Sequence, residues 1–256
     1  MKLLLFLLLP VMAFGQLKLK DKMPLDADRF IGVDSYKNTY FLVNNALIKT
    51  SDKDRWNYAD FTLGSITEVD IINPLRILVY YADFNIVVFL DNTLNEIERI
   101  NFNQVEDYLN IETVRMANNN SVWVFNKDAQ QLELYNYRSG KRSIISQPIQ
   151  GNLLSTASDF NFCHILTEEE VITYNVYGSI LRSYDNPGYT RLWTSSPRGV
   201  LALDKAGTIY FTEASEGEFK PRVEGVKIAV KDLQLSSEIL YIYDGDFVYS
   251  FKLTKP

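Results

Sequence analysis

The chain is short of the residues that most often do chemistry. Among 256 residues there is one cysteine, Cys163, and one histidine, His164. A lone cysteine closes no disulfide within the chain. One thiol and one imidazole fall short of the roughly four ligands that a zinc site takes, mainly Cys and His. The two are neighbours in the strand-like run "FCHILT". Adjacent side chains of a strand leave by opposite faces, so they cannot form a nucleophile–base pair, and a packing role is expected for both. No G-x-S-x-G elbow, P-loop, dinucleotide fingerprint or EF-hand loop is present. The sialidase-type aspartate box (S-x-D-x-G-x-T-W) is missing too. Basic runs are absent: 26 Lys and Arg face 32 Asp and Glu, for a net charge of −6. Nucleic-acid binding needs clustered cations, so it is excluded. The expectation is a protein that is not an enzyme, with no cofactor and no metal.

Long apolar runs are also missing, except at the start. "MKLLLFLLLPVMAFGQ" places Lys2 before an apolar stretch from Leu3 to Met12, then small residues in "AFG". This predicts a signal peptide over residues 1–15, cleaved before Gln16. The run is shorter than the roughly 18 residues of a membrane span, and no cysteine follows the cleavage point to carry a lipid. Residues 16–256 then form an exported domain with no membrane span of its own and a net charge of −7. Without disulfides its stability must come from a packed core. Hydrophobic residues make up 46% of the chain, with 16 Tyr, 15 Phe and 3 Trp among them.

What the sequence does have is a repeat. Apolar blocks of four to seven residues, rich in Val, Ile, Tyr and Phe, are separated by Gly, Asn, Asp and Pro, which is strand and hairpin punctuation. The most apolar blocks are "YFLV" (40–43), "RILVYY" (76–81), "SVWVF" (121–125), "CHIL" (163–166), "GVLAL" (199–203) and "LYIY" (240–243). They recur about every forty residues, the period of a four-stranded β-propeller blade. A β-sandwich or a pair of small barrels would space strands at about 8–12 residues without holding that longer period. The prediction is all-β: a single six-bladed propeller over residues 16–256.

One blade shows the unit. "TEVDII", "RILVYY", "IVVFLD" and "EIERINF" are its strands A to D, running from the axis outwards. Strand B is apolar on both faces because a neighbouring blade covers each side. Strand D alternates as an exposed edge does. The recurring phrases "LELYNYRSGK" (132–141) and "VITYNVYGSIL" (171–181) read as strand C, a turn and strand D, with Gly140 and Gly178 supplying positive φ. The last blade offers three strands, "VKDLQL", "EILYIYD" and "FVYSFKL". The alternating "QLKLK" near the N-terminus is predicted to supply its fourth and close the ring, the alternative being a frayed tail. The best helix candidate is a short one, "QVEDYLN" at 104–110.

Two sets of carboxylates stand out. Asp34, Asp70, Asp159 and Asp232 fall in or just after the inner A strands, where they could ring an axial cation or polar ligand. The favoured reading is that they satisfy backbone donors in adjoining turns. The second set depends on sorting loops by face, since B–C and D–A connections share one end of a propeller. The B–C connections carry Asp83, Asp128, Glu168, Glu169, Glu170, Asp204, Asp244 and Asp246. Glu106, Asp107, Asp185 and Glu224 are assigned to the D–A connections. Opposing them are Lys127, Lys205 and Lys227, whereas the A–B and C–D end is nearly balanced. A one-sided acidic face suits docking on a complementary protein.

The stretches 33–50, 69–102, 130–142 and 240–253 resemble a family of small exported propellers of Bacteroidota. Within it they are similar to the plug subunit at the periplasmic mouth of the type 9 secretion translocon. That resemblance implies a periplasmic, non-enzymatic protein docked on an outer-membrane β-barrel complex, plugging or gating its pore. No motif carries binding residues across. The alternative is an exported propeller that binds sugar or peptide through aromatics such as Trp56, Tyr81 or Tyr189.

Overall fold

The computed structural model describes residues 17–195, 199–212, 220–221, 228–236 and 239–253. The predicted leader lies outside them, as do Arg198, Glu213, Glu216, Glu218, Glu224, Lys227 and Glu238. The described chain forms six four-stranded antiparallel sheets. Blade 1 holds β2 (Arg29–Val33), β3 (Thr39–Val43), β4 (Ala46–Thr50) and β5 (Arg55–Tyr58). Blade 2 holds β6 (Glu68–Asp70), β7 (Ile77–Tyr81), β8 (Ile86–Leu90) and β9 (Glu96–Asn101). Blade 3 is β10 (Ile111–Met116), β11 (Ser121–Asn126), β12 (Gln131–Asn136) and β13 (Arg142–Ile144). Blade 4 is β14 (Leu153–Ser158), β15 (Phe162–Thr167), β16 (Glu170–Asn175) and β17 (Ile180–Asp185). Blade 5 is β18 (Tyr189–Ser195), β19 (Gly199–Asp204), β20 (Ile209–Thr212) and β21 (Lys220–Pro221). Blade 6 combines β22 (Asp232–Ser236), β23 (Ile239–Tyr243) and β24 (Phe247–Leu253) with β1 (Leu17–Pro24).

The core sits between blades, and the side-chain alternation of each B strand explains how. In β7, Ile77, Val79 and Tyr81 pack toward blade 1, while Leu78 and Tyr80 pack toward blade 3. All five are essentially inaccessible to solvent. Burying each such side chain stabilises the fold by roughly 1.5–3 kcal/mol, and a strand covered on both sides has no polar face to spend. Six such apolar layers, one per blade junction, run round the ring.

The predicted closing strand is present. β1 pairs antiparallel with β24 from Leu17 opposite Leu253 to Pro24 opposite Phe247, with a bulge between Leu19 and Asp21. Proline is tolerated at its end because this is an outer edge with no further ladder to serve. The Tyr243 hydroxyl donates to the Ala27 carbonyl at 2.7 Å, tying the β1–β2 connection down. The predicted helix at 104–110 does not form. Asn85 Nδ2 donates to the Leu109 carbonyl at 2.5 Å, and Leu109 is buried in the layer between blades 2 and 3, so the loop is held open as a bridge. The short helical turns lie elsewhere, at Phe61–Leu63 and Ala82–Phe84.

The repeated phrase is a C–D hairpin, with Gly140 at φ +70° and Gly178 at φ +81°. A Cβ on Gly178 would sit 3.1 Å from the Ile145 carbonyl oxygen, so that turn needs glycine twice over. In blade 2 the same slot is Leu94, at φ +61° and buried. Its turn is held by the Asp91 carboxylate, which accepts from the N–H groups of Thr93 and Asn95.

Candidate functional site: the axial channel and the two faces

An inner strand pairs on one side only, which leaves main-chain groups along the channel without ladder partners. Here the blades cap one another. From blade 2, Glu68 accepts from the Val114 N–H and Asp70 from the Met116 N–H of blade 3, both at 3.0 Å. From blade 4, Ser155 Oγ accepts from the Leu192 N–H of blade 5 at 3.1 Å. From blade 6, Asp232 accepts from the Phe30 N–H at 3.1 Å and Gln234 Oε1 from the Val33 N–H at 2.6 Å, both in blade 1. Arginines make the intervening junctions. Arg29 donates to the Thr67 carbonyl at 2.8 Å, Arg115 to the Thr156 carbonyl at 3.4 Å, and Arg191 to the Lys231 carbonyl at 2.8 Å. Acceptors lead from even blades and guanidiniums from odd ones. The channel is therefore wired by side chains in an alternating, roughly threefold pattern.

This separates the four axial aspartates. Asp34 and Asp159 cap their A–B turns, as turn chemistry suggests: Asp34 accepts from the N–H groups of Tyr36 and Asn38, and Asp159 from those of Asn161 and Phe162. Asp70 caps the Ile72 N–H and also bridges to blade 3. Asp232 bridges blades and pairs with Arg191 at 3.0 Å. Among the described residues no three carboxylate, thiol or imidazole groups converge as a metal cluster would. Desolvation raises the Asp70 carboxyl above its usual value, against the pull of Arg115 and the two N–H bonds. In Arg29 burial is the largest influence and lowers its pKa; Asp232 and Glu68 act against that, while Arg115 and Arg191 add to it.

Cys163 and His164 part company as strand geometry requires. The Cys163 thiol is buried in the layer between blades 3 and 4, and burial pushes its pKa up. His164 faces the other way, 2.9 Å from Thr173 Oγ1. Desolvation, helped by Arg182, lowers its pKa to about 3, so the ring is neutral at pH 7.

The eight acidic residues singled out in the sequence lie in or beside the B–C turns, on one face of the ring. Their states differ. Asp204 is fixed by the N–H groups of Ala206 and Thr208, and Asp244 by those of Asp246 and Phe247. Desolvation works to raise both, but these bonds outweigh it and hold each below the usual carboxylate range. Asp128 accepts from Asn110, Glu168 from Asn152 and Glu170 from Ser183. Asp83, Glu169 and Asp246 are exposed. Asp26, Asp28 and Asp60 join the face from the D–A connections between β1 and β2 and between β5 and β6. Asp185 instead ends β17. Among the described loops this face carries eleven acidic and three basic side chains, against five of each on the other. Exposed Phe61, Phe84 and Tyr108 lie on the acidic side as well.

The opposite face opens into the channel. A cavity of about 360 Å³ is lined from all six inner strands, with Ile31, Asp70, Arg115, Ser158, Trp193 and Gln234 among its walls. No sequence motif marks it, since its lining is gathered in short pieces from six separate blades. The aromatics proposed as ligand platforms are not there. Tyr81 and Tyr189 are buried between blades. Trp56 is half-buried, with Lys49 Nζ 5.0 Å from its ring centre. Inter-blade packing, which consumes most of the aromatic residues, claims them.

No family model matches the chain, and no curated protein matches it in sequence. Solved structures do match in shape. The chain is similar to a catalytically inactive virginiamycin B lyase from Staphylococcus aureus at 11% identity and TM-score 0.61, covering 93% of this chain and all of that one. It is similar to a chain of the mitotic checkpoint complex at 10% identity and TM-score 0.61, covering 88% and 74%. PorZ, a surface component of the type-IX secretion system of Porphyromonas gingivalis, matches at 12% identity and TM-score 0.52, covering 95% of this chain and 39% of PorZ. At these identities the likeness establishes the propeller fold.

Proposed function

We propose that this is a non-enzymatic exported propeller that docks through its acidic B–C/D–A face onto an outer-membrane β-barrel complex, occluding the periplasmic end of a type 9 secretion pore. The observation that carries the reading is the charge asymmetry among the described loops: eleven acidic against three basic residues on one face and five of each on the other. Such a field steers a flat surface onto a basic one and fixes which way round it sits. Phe61, Phe84 and Tyr108 on that face offer the apolar anchors that docking surfaces use. A compact domain of this size is about 45 Å across, wide enough to cover a barrel mouth. The resemblance to exported Bacteroidota propellers and the shared fold with PorZ point to the same setting.

The test is a comparison of charge reversals at exposed carboxylates that cap no turn. Glu169→Lys/Asp246→Lys alters the acidic face, and Asp52→Lys/Asp54→Lys makes the same charge change on the other. Tagged protein is captured from detergent-solubilised outer membranes at low and moderate salt. The acidic-face variant is expected to lose the barrel partner about tenfold or more, with the loss sensitive to salt. Equal retention by both variants would overturn the reading, and a larger loss in the Asp52/Asp54 variant would move the interface to the opposite face.

A further inference from the structure

We infer that a cleft between blades 3 and 4, on the face opposite the acidic one, binds a single pyranose ring that carries a carboxylate. The cleft encloses about 230 Å³, below the roughly 300–1,000 Å³ of pockets for larger ligands. That limits the occupant to one sugar unit or the end of a chain. Its walls come from the A–B turn and the C–D hairpin of blade 3 and from the C–D turn of blade 4. Leu134 and Val176 supply its apolar lining and pack against the layer between these blades. Asn119, Ser139, Lys141 and Ser143 also line it and are exposed, so their donors and acceptors are open to a ligand.

Tyr177 selects the shape of the ligand. At 89% exposed it is the most open large apolar side chain among the described residues, and it lines the cleft. The turn that carries it is fixed. The Tyr177 N–H donates to Asn175 Oδ1 and the Gly178 N–H to the Asn175 carbonyl, both at 3.0 Å. Gly178 itself lies so close to the Ile145 carbonyl of blade 3 that a Cβ would press on it. A ring held ready beside amides and hydroxyls suits a ligand with a flat C–H face and several hydroxyls of its own. A pyranose has both. An apolar peptide side chain would cover those amides and hydroxyls without giving them partners. Charge selects the rest. The chain is acidic, yet among the described residues the lining holds no carboxylate and one ammonium, that of Lys141. A sugar carboxylate is attracted there without opposition from the walls. One lysine lacks the fork that grips a free anion, so the sugar ring must supply the remaining contacts.

The experiment titrates methyl β-glucuronide and methyl β-glucoside into the full exported domain, followed by saturation-transfer NMR and calorimetry. The glucuronide is expected to bind about fivefold more tightly, the upper end for an exposed ion pair, with the preference fading as salt rises. Lys141→Gln is expected to erase that preference and leave glucoside binding as it was. Tyr177→Ala is expected to weaken both ligands about tenfold, the scale of one aromatic contact, at an unchanged melting temperature. Tyr177→Phe keeps the ring and is expected to bind like the parent. Sodium acetate is expected not to bind saturably. Absence of saturable glycoside binding, undiminished binding by Tyr177→Ala, or an acid preference that survives Lys141→Gln would each overturn the assignment. Acetate binding as tight as that of the glucuronide would overturn it too. None of these outcomes bears on the acidic face, whose partner capture is measured separately.

Discussion

The junction between blades 2 and 3 and the junction between blades 6 and 1 use the same two-rung device under opposite chain connectivity. In the first, Glu68 and Asp70 reach residues 46 positions along the chain. In the second, Asp232 and Gln234 reach back over 202 and 201 positions to Phe30 and Val33. A propeller must close on itself, and loop-closure entropy falls on the junction that joins the two ends. The closing junction is accordingly reinforced: β1 adds an eight-residue strand beside β24, Tyr243 ties down Ala27, and Phe30 packs on the rings of Tyr241 and Tyr243. Local and long-range junctions are thus equal in kind along the channel and unequal on the outside.

Removing the reinforcement is the most severe way to break that comparison. Deleting residues 17–24 exposes the β24 edge and strips the closing junction of its outer strand. The melting temperature is expected to fall by several degrees or more, at about 2–4 °C per kcal/mol for a domain of this size. A deletion that melts like the intact domain would show that the channel rungs alone close the ring.

A finer contrast lies between the aspartates of the two junctions. Asp232 is buried and pairs with Arg191 as well as the Phe30 N–H. Asp232→Asn loses that ion pair and is expected to cost about 1–3 kcal/mol. Asp70 holds two N–H groups, but desolvation raises its pKa. A carboxyl whose folded pKa lies above its unfolded value contributes stability that is full below the unfolded value and lost as pH rises through the folded one. Ionising this carboxyl is therefore a cost to the fold. Asp70→Asn removes that cost but leaves one of the two N–H groups without an acceptor. A loss smaller than that of Asp232→Asn is expected at pH 7, growing as pH falls toward about 4. Urea titrations of both variants at pH 7 and pH 4 measure this, and an Asp70→Asn penalty as large as that of Asp232→Asn would erase the distinction.

These contrasts also show what the sequence could and could not disclose. Blade count, the four-strand unit and the closing β1 strand were legible because each B strand must be apolar on both faces, which stamps a forty-residue period on the chain. The turn role of Asp34 and Asp159 was legible because their bonds are local. The bridging role of Asp232 was not, since its partner Phe30 is adjacent only once the ring has closed. The same holds for the cavity, to which Ser158 and Arg115 come from different blades. The helix expected at 104–110 failed because Leu109 gains more by burial between blades than the segment gains from a single turn. Tyr81 and Tyr189, read as ligand platforms, were taken up by inter-blade layers that alternation alone does not assign.

The smallest expected effect tests whether the rungs are equivalent. Along the channel the junction between blades 4 and 5 has neutral rungs: Ser155 Oγ accepts from the Leu192 N–H, and Thr194 Oγ1 donates to the Ser158 carbonyl. Ser155 is only half-buried. When its hydroxyl is removed, water in the channel can reach the freed N–H and recover part of the bond. Ser155→Ala is therefore expected to cost about 0.5–1 kcal/mol, at the low end for a lost hydrogen bond, and to do so equally at pH 4 and pH 7 because no charge is involved. Hydrogen exchange at the Leu192 amide reads the same rung directly and should quicken, while exchange at Val114 and Phe30 stays as it was. If all three amides quicken together, the rungs act as one cooperative belt, and the junctions differ in connectivity but not in strength.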